Sequence, residues 1–115
     1  MKKERRRWTR IPVEHLVSYT IFDGQGEPEE MGMTRTLDLG GGGVVLEMPH
    51  PVEAGSHLQI KMVSGQHILR ASGRVAYSQL LPTDRWRVGV SFIGIGEDDL
   101  VIISQEVEDH RQRKE

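Results

Sequence analysis

Apolar and polar residues alternate along most of this chain, with the period of two that a β-strand imposes on its two faces. Over 57–63 the alternation is clean: Leu58, Ile60 and Met62 fall on one side and His57, Gln59 and Lys61 on the other. A looser version over 13–22 gathers Val17, Tyr19 and Ile21 on one face and ends in the turn formers Asp23-Gly24-Gln25-Gly26. The polar stretch Glu27-Pro28-Glu29-Glu30 reads as a continuing loop. Two further strands are expected over 33–39 and 44–48, the second stopped by Pro49 and Pro51, which cannot donate to a ladder. Ser64-Gly65 predicts a two-residue hairpin turn, after which 68–77 returns antiparallel with Ala71, Gly73, Val75 and Tyr77 on one face. In the last strand Trp86, Val88, Val90 and Phe92 face inward, opposite Arg85, Arg87, Gly89 and Ser91.

Near the end the period changes. Leu100, Ile103 and Val107 recur at three and four, behind the acidic run Glu97-Asp98-Asp99 and ahead of Arg111, Arg113 and Lys114. Acids at the start and bases at the end suit the dipole of a helix. The pattern predicts an all-β chain with one C-terminal helix: six antiparallel strands in a closed or nearly closed β-barrel, with the helix across an opening. Three segments follow: a flexible basic arm over 1–12, the barrel over 13–95, and the helix and tail over 96–115.

The chain has 115 residues, enough for one modest core. No apolar run is long enough to span a bilayer, so no membrane insertion is expected. The basic start lacks the apolar stretch of an export signal, and there is no cysteine for a disulfide or thiolate site. A cytoplasmic location is the expectation. Net charge is −2, but the first ten residues, Met1-Lys2-Lys3-Glu4-Arg5-Arg6-Arg7-Trp8-Thr9-Arg10, carry +5, which leaves −7 on the rest. A basic arm on an acidic body marks anion binding.

Catalysis finds little support. The five histidines are scattered, no three or four ligands converge in the sequence pattern, and no nucleophile sits beside a base. The glycines at 40–43 are followed by a strand, so they form neither a Walker loop nor a dinucleotide fingerprint. No enzyme activity, metal or cofactor is expected.

What stands out is a guanidinium cluster, Arg5, Arg6, Arg7 and Arg10, together with Asp38-Leu39-Gly40-Gly41-Gly42-Gly43, a carboxylate beside bare backbone. In these two stretches, and in Ile11-Pro12-Val13, Ser72-Gly73-Arg74-Val75 and Arg87-Val88-Gly89-Val90-Ser91-Phe92, the chain resembles a PilZ domain, the bacterial receptor module for cyclic di-GMP. The family motif Arg-x-x-x-Arg matches Arg6 to Arg10, and its Asp/Asn-x-Ser-x-x-Gly matches Asp38 to Gly43, with Gly40 where serine is usual. The resemblance implies that Arg6 and Arg10 hold phosphates and guanine edges, with Arg5 assisting. It also makes Asp38, Gly40 and Gly43 ligand-binding. A guanidinium fork matches both phosphate oxygens and the O6/N7 edge of guanine. The Asp38 carboxylate could accept from guanine or orient an arginine, and Trp8 could stack on a base or peg the arm.

The resulting expectation is a cyclic di-GMP receptor that orders its arm on binding and signals to an unidentified effector protein, without binding nucleic acid. Its rival is a relative that has lost the ligand and acts as an interaction module. A second ligand copy would call on Arg74 or Arg87. Oligomeric state is left open.

Overall fold

The structure, a computed structural model, describes residues 10–114. Seven strands and one helix follow in order: β1 (Arg10–Pro12), β2 (Leu16–Phe22), β3 (Pro28–Gly40), β4 (Gly43–Met48), β5 (His57–Ser64), β6 (His67–Leu80), β7 (Trp86–Ile95) and α1 (Glu97–Lys114). The sheet runs β1-β3-β2-β5-β6-β7-β4, and a further β3–β4 pairing closes six of the strands into an antiparallel barrel. The seventh, β1, is a short addition to β3.

The alternation read from the sequence becomes the inside and outside of this barrel. Val17, Tyr19 and Ile21, and likewise Leu58, Ile60 and Met62, are buried in one core with Leu39, Leu46, Met48, Val88 and Val90. Trp86 and Phe92 pack against it from the ends of their strand face. Helix α1 contributes Ile103 and Val107 to the same core and packs against β1 and β3. Its Glu106 bonds His15 Nε2 at 2.7 Å and Ser64 Oγ at 3.1 Å, which pins the helix to the barrel rim. Among the described residues no helix is long and apolar enough to cross a membrane.

The structure departs from the sequence expectation at several boundaries. The strand expected over 13–22 begins only at Leu16, as β2, and Arg10–Pro12, grouped with the arm, form a separate short strand, β1. Both pair with the same edge of β3 at different heights, Leu16 opposite Arg35 and Pro12 opposite Asp38. Between them the ladder is irregular: Val13 N donates to Leu37 O and Thr36 N to His15 O, while the Thr36 hydroxyl accepts from His15 N at 2.9 Å and donates to Val13 O at 2.5 Å. The loop expected at 27–30 is largely the start of β3, where Glu30 accepts from the Tyr19 hydroxyl and meets His50 Nε2 at 2.8 Å. The hairpin turn is Gly65-Gln66, since Ser64 still pairs with His67. Gly65 has φ +62°, and glycine at the first central position of a two-residue loop fits a II′ turn.

Candidate functional site

Arg10 lies directly opposite Gly40 in the β1–β3 ladder, so the end of the basic segment is fixed beside the glycine run. Ile11 anchors it: its side chain enters the core while Arg10 and Pro12 on either side stay exposed. Arg5 and Arg6, and with them Trp8, lie outside the described residues. On the other side of the β3–β4 turn, Gly43 pairs with Ser91, and Ser91 with Arg74. The register therefore sets Arg10 and Arg74, both exposed, at the two ends of a row whose interior is Gly40, Gly43 and Ser91. With strands about 4.8 Å apart, the row spans about 19 Å. A strip of nearly bare backbone flanked by guanidiniums suits a flat, anionic, hydrogen-bonding ligand.

The next row out is Pro12, Asp38, Val45, Gly89 and Tyr77. Here the Asp38 carboxylate accepts from Arg87 Nη2 at 2.7 Å. Arg87 sits on β7 two positions along, near Tyr77 of the neighbouring strand β6. Burial opposes its charge, but the bond to Asp38 and the neighbouring Tyr77 hydroxyl outweigh that and raise its pKa further above the usual arginine value. Val45, between Asp38 and Gly89, is fully buried although it belongs to no part of the inner core.

The glycines act here by lacking a side chain. The glycines with positive φ are Gly26, Gly55 and Gly65, all in turns elsewhere. A Cβ on Gly43 would collide with the backbone oxygen of Val90, so β4 and β7 approach each other too closely there for any other residue. Gly42 O accepts from Phe92 N at 3.0 Å, which holds the turn against β7. Gly43 is thus demanded by barrel packing whether or not a ligand binds. Gly40 is buried at the end of β3.

Of the residues expected to bind ligand, the structure brings Arg10, Asp38, Gly40 and Gly43 together. On the sequence Arg87 is a candidate for a second ligand copy, whereas the structure pairs it with Asp38. The one available signal was its outward position, and nothing in the sequence tells how far across a barrel a long side chain reaches. Among the described residues no three His, Asp or Glu side chains gather where they could hold a metal ion.

The model of the PilZ domain family matches residues 4–109. Among solved structures the chain is similar to the Bacillus subtilis inhibitor of motility MotI/DgrA, with TM-score 0.80 and 16% identity over 96% of this chain and 53% of that one. It is also similar to the PilZ domain, with cyclic di-GMP, of YcgR from Escherichia coli, with TM-score 0.65 and 14% identity over 96% of each chain. A third is the MrkH–cyclic di-GMP complex of K. pneumonia, with TM-score 0.65 and 18% identity over 96% of this chain and 56% of that one. The chain spans about half the length of MotI and of MrkH. No curated protein is similar in sequence.

Proposed function

Because the chain belongs to the PilZ domain family, we propose that it is a receptor for cyclic di-GMP which binds on the row from Arg10 to Arg74 and acts as a signalling module, not as an enzyme. The single observation that carries this is the register of Arg10 against Gly40, next to the Asp38–Arg87 pair. Two similar structures hold the same ligand, which supports the reading.

Each residue has a chemical task. Arg10, with Arg6 and Arg5 preceding it, supplies planar donors for phosphate oxygens and guanine edges. Asp38 accepts from the guanine N1–H and amino group, and Arg87 holds its carboxylate in position. Gly40 places no side chain beside Arg10, while Gly43 lets β4 close on β7 and so fixes the turn next to it. Binding neutralises the basic arm and orders it against β1. Since α1 packs on β1, the new surface includes the helix, and an effector protein reads it. The ligand-free interaction module remains the second reading, because Gly40 lacks the family's serine hydroxyl and Asp38 already has a cationic partner.

Calorimetric titration of the wild type and an Arg6→Ala/Arg10→Ala variant with cyclic di-GMP tests the proposal. Each lost charge-assisted bond is worth about 1.5–3 kcal/mol, so the double variant should lose essentially all measurable affinity. Equal affinity in both removes this binding mode, and no heat in the wild type favours the interaction module.

A further inference from the structure

We propose that the outer face of β2, β5 and β6, around the barrel from the row described above, docks an acidic, apolar-bearing segment of a partner protein. This does not depend on cyclic di-GMP binding. These three strands contain no Asp or Glu at all, in a chain with seventeen of them. Lys61 and Arg70 face each other across the β5–β6 ladder. Neither side chain forms an ion pair among the described residues. Asp99 of α1 borders the face, and its carboxylate is taken by the backbone N–H of Arg70 at 3.1 Å.

The face is grooved. A cleft of about 450 Å³ crosses the strands from β3 to β7. Its floor is the backbone of the registered row Gly32, Tyr19, Ile60, Ala71 and Ile95, the last four of which turn their side chains inward. Thr20, Gln59 and Ser72 line one side and Ser18, Lys61 and Arg70 the other. Exposed apolar side chains adjoin it on the outer face: Met31, which lines it, is 69% exposed, and Met33 and Leu16, on the neighbouring depression, are 64% and 54% exposed. Val63 and Ile68, paired across β5 and β6, are 42% and 54% exposed. Apolar side chains exposed beside a polar cleft suit a site of association.

Charge selects the occupant. The basic residues at the start of the chain are repelled by Lys61 and Arg70. An anionic bilayer is flat and would meet the net negative charge of the remaining chain. An extended acidic segment fits both the cleft and the cations. At about 3.3 Å per residue, a cleft of five strands, about 19 Å long, takes about six residues.

A fluorescein-labelled hexapeptide of alternating Glu and Leu, titrated into the isotopically labelled full chain, tests this. Expected are amide shifts at Ser18, Thr20, Gln59, Lys61, Arg70 and Ser72, and affinity reduced about tenfold or more by Lys61→Glu/Arg70→Glu. Met31→Ser/Met33→Ser should also weaken binding, and Arg6→Ala/Arg10→Ala should leave it unchanged. All the substituted groove residues are exposed, so both groove variants should keep the thermal midpoint, and cyclic di-GMP titration of the charge-reversal variant should match the wild type. The proposal fails if shifts fall only on the basic arm, if millimolar peptide produces none, or if the charge reversal leaves peptide affinity intact. It also fails if vesicles with 30% phosphatidylserine bind this face and the peptide does not, or if the same charge reversal abolishes a homodimer.

Discussion

Arg87 donates a hydrogen bond from Nη2 to Asp38 Oδ2 at 2.7 Å, tying β7 to β3 over the intervening β4. Both side chains are partly buried, 30% and 23% exposed. The pair therefore fixes the direction of the carboxylate on which the proposed guanine contact depends.

Replacing Asp38 with Asn keeps the shape and removes the charge. Loss of a charge-assisted bond at about 1.5–3 kcal/mol predicts cyclic di-GMP affinity lower by about 10- to 150-fold. Arg87→Ala acts only through Asp38 and should cost less, with Arg87→Lys recovering part of the loss. Calorimetric titration of the three variants checks the order.

Gly40→Ser restores the hydroxyl that the family motif carries. A neutral hydrogen bond contributes about 0.5–1.5 kcal/mol net, so affinity should rise about two- to twelvefold. Unchanged affinity would mean that the hydroxyl has no ligand atom to meet in this chain.

At Gly89 an added Cβ would run into the ring of Tyr77. Gly89→Ala should destabilise by about 1–3 kcal/mol through overpacking, which in a domain of this size is about 4–8 °C in Tm for each kcal/mol. The double variant Gly89→Ala/Tyr77→Ala relieves the clash and should show less than the sum of the single effects in thermal unfolding.

His50 is held above its usual pKa, first by its bond to the Pro51 carbonyl and then by Glu30. The protonated ring is favoured in the folded chain, so this contribution is fully present below the unfolded value of about 6.5. It is lost as pH rises through the higher folded value. His50→Ala should therefore flatten the dependence of stability on pH across that window and leave alkaline stability unchanged. Denaturant midpoints measured from pH 5.5 to 8.5 test this.

Removing the helix contact tests how α1 is held. Ile103 is fully buried, so Ile103→Ala should cost about 2–5 kcal/mol. If the helix carries the output, this variant should still bind cyclic di-GMP while effector recognition is lost, provided it is assayed below its lowered Tm.

Alternation of period two is a local property, so the strands β2, β5 and β7, their buried faces and the terminal helix were all legible from the residues themselves. So were the guanidinium cluster and the glycine run, whose chemistry depends on residue type alone. Pairing partners are a different matter. The break at 13–15 depends on Thr36, some twenty residues later, and the strand character of Pro28–Glu30 depends on the ladder offered by β2. Neither has a local signature. Likewise Arg87 and Asp38, forty-nine positions apart, meet only because β4 lies between their strands. Which glycine must be glycine was settled by how closely β4 and β7 approach at Gly43. Local composition decides what each segment can be; barrel closure decides which segments become neighbours, because register is fixed by the fit of all six strands at once.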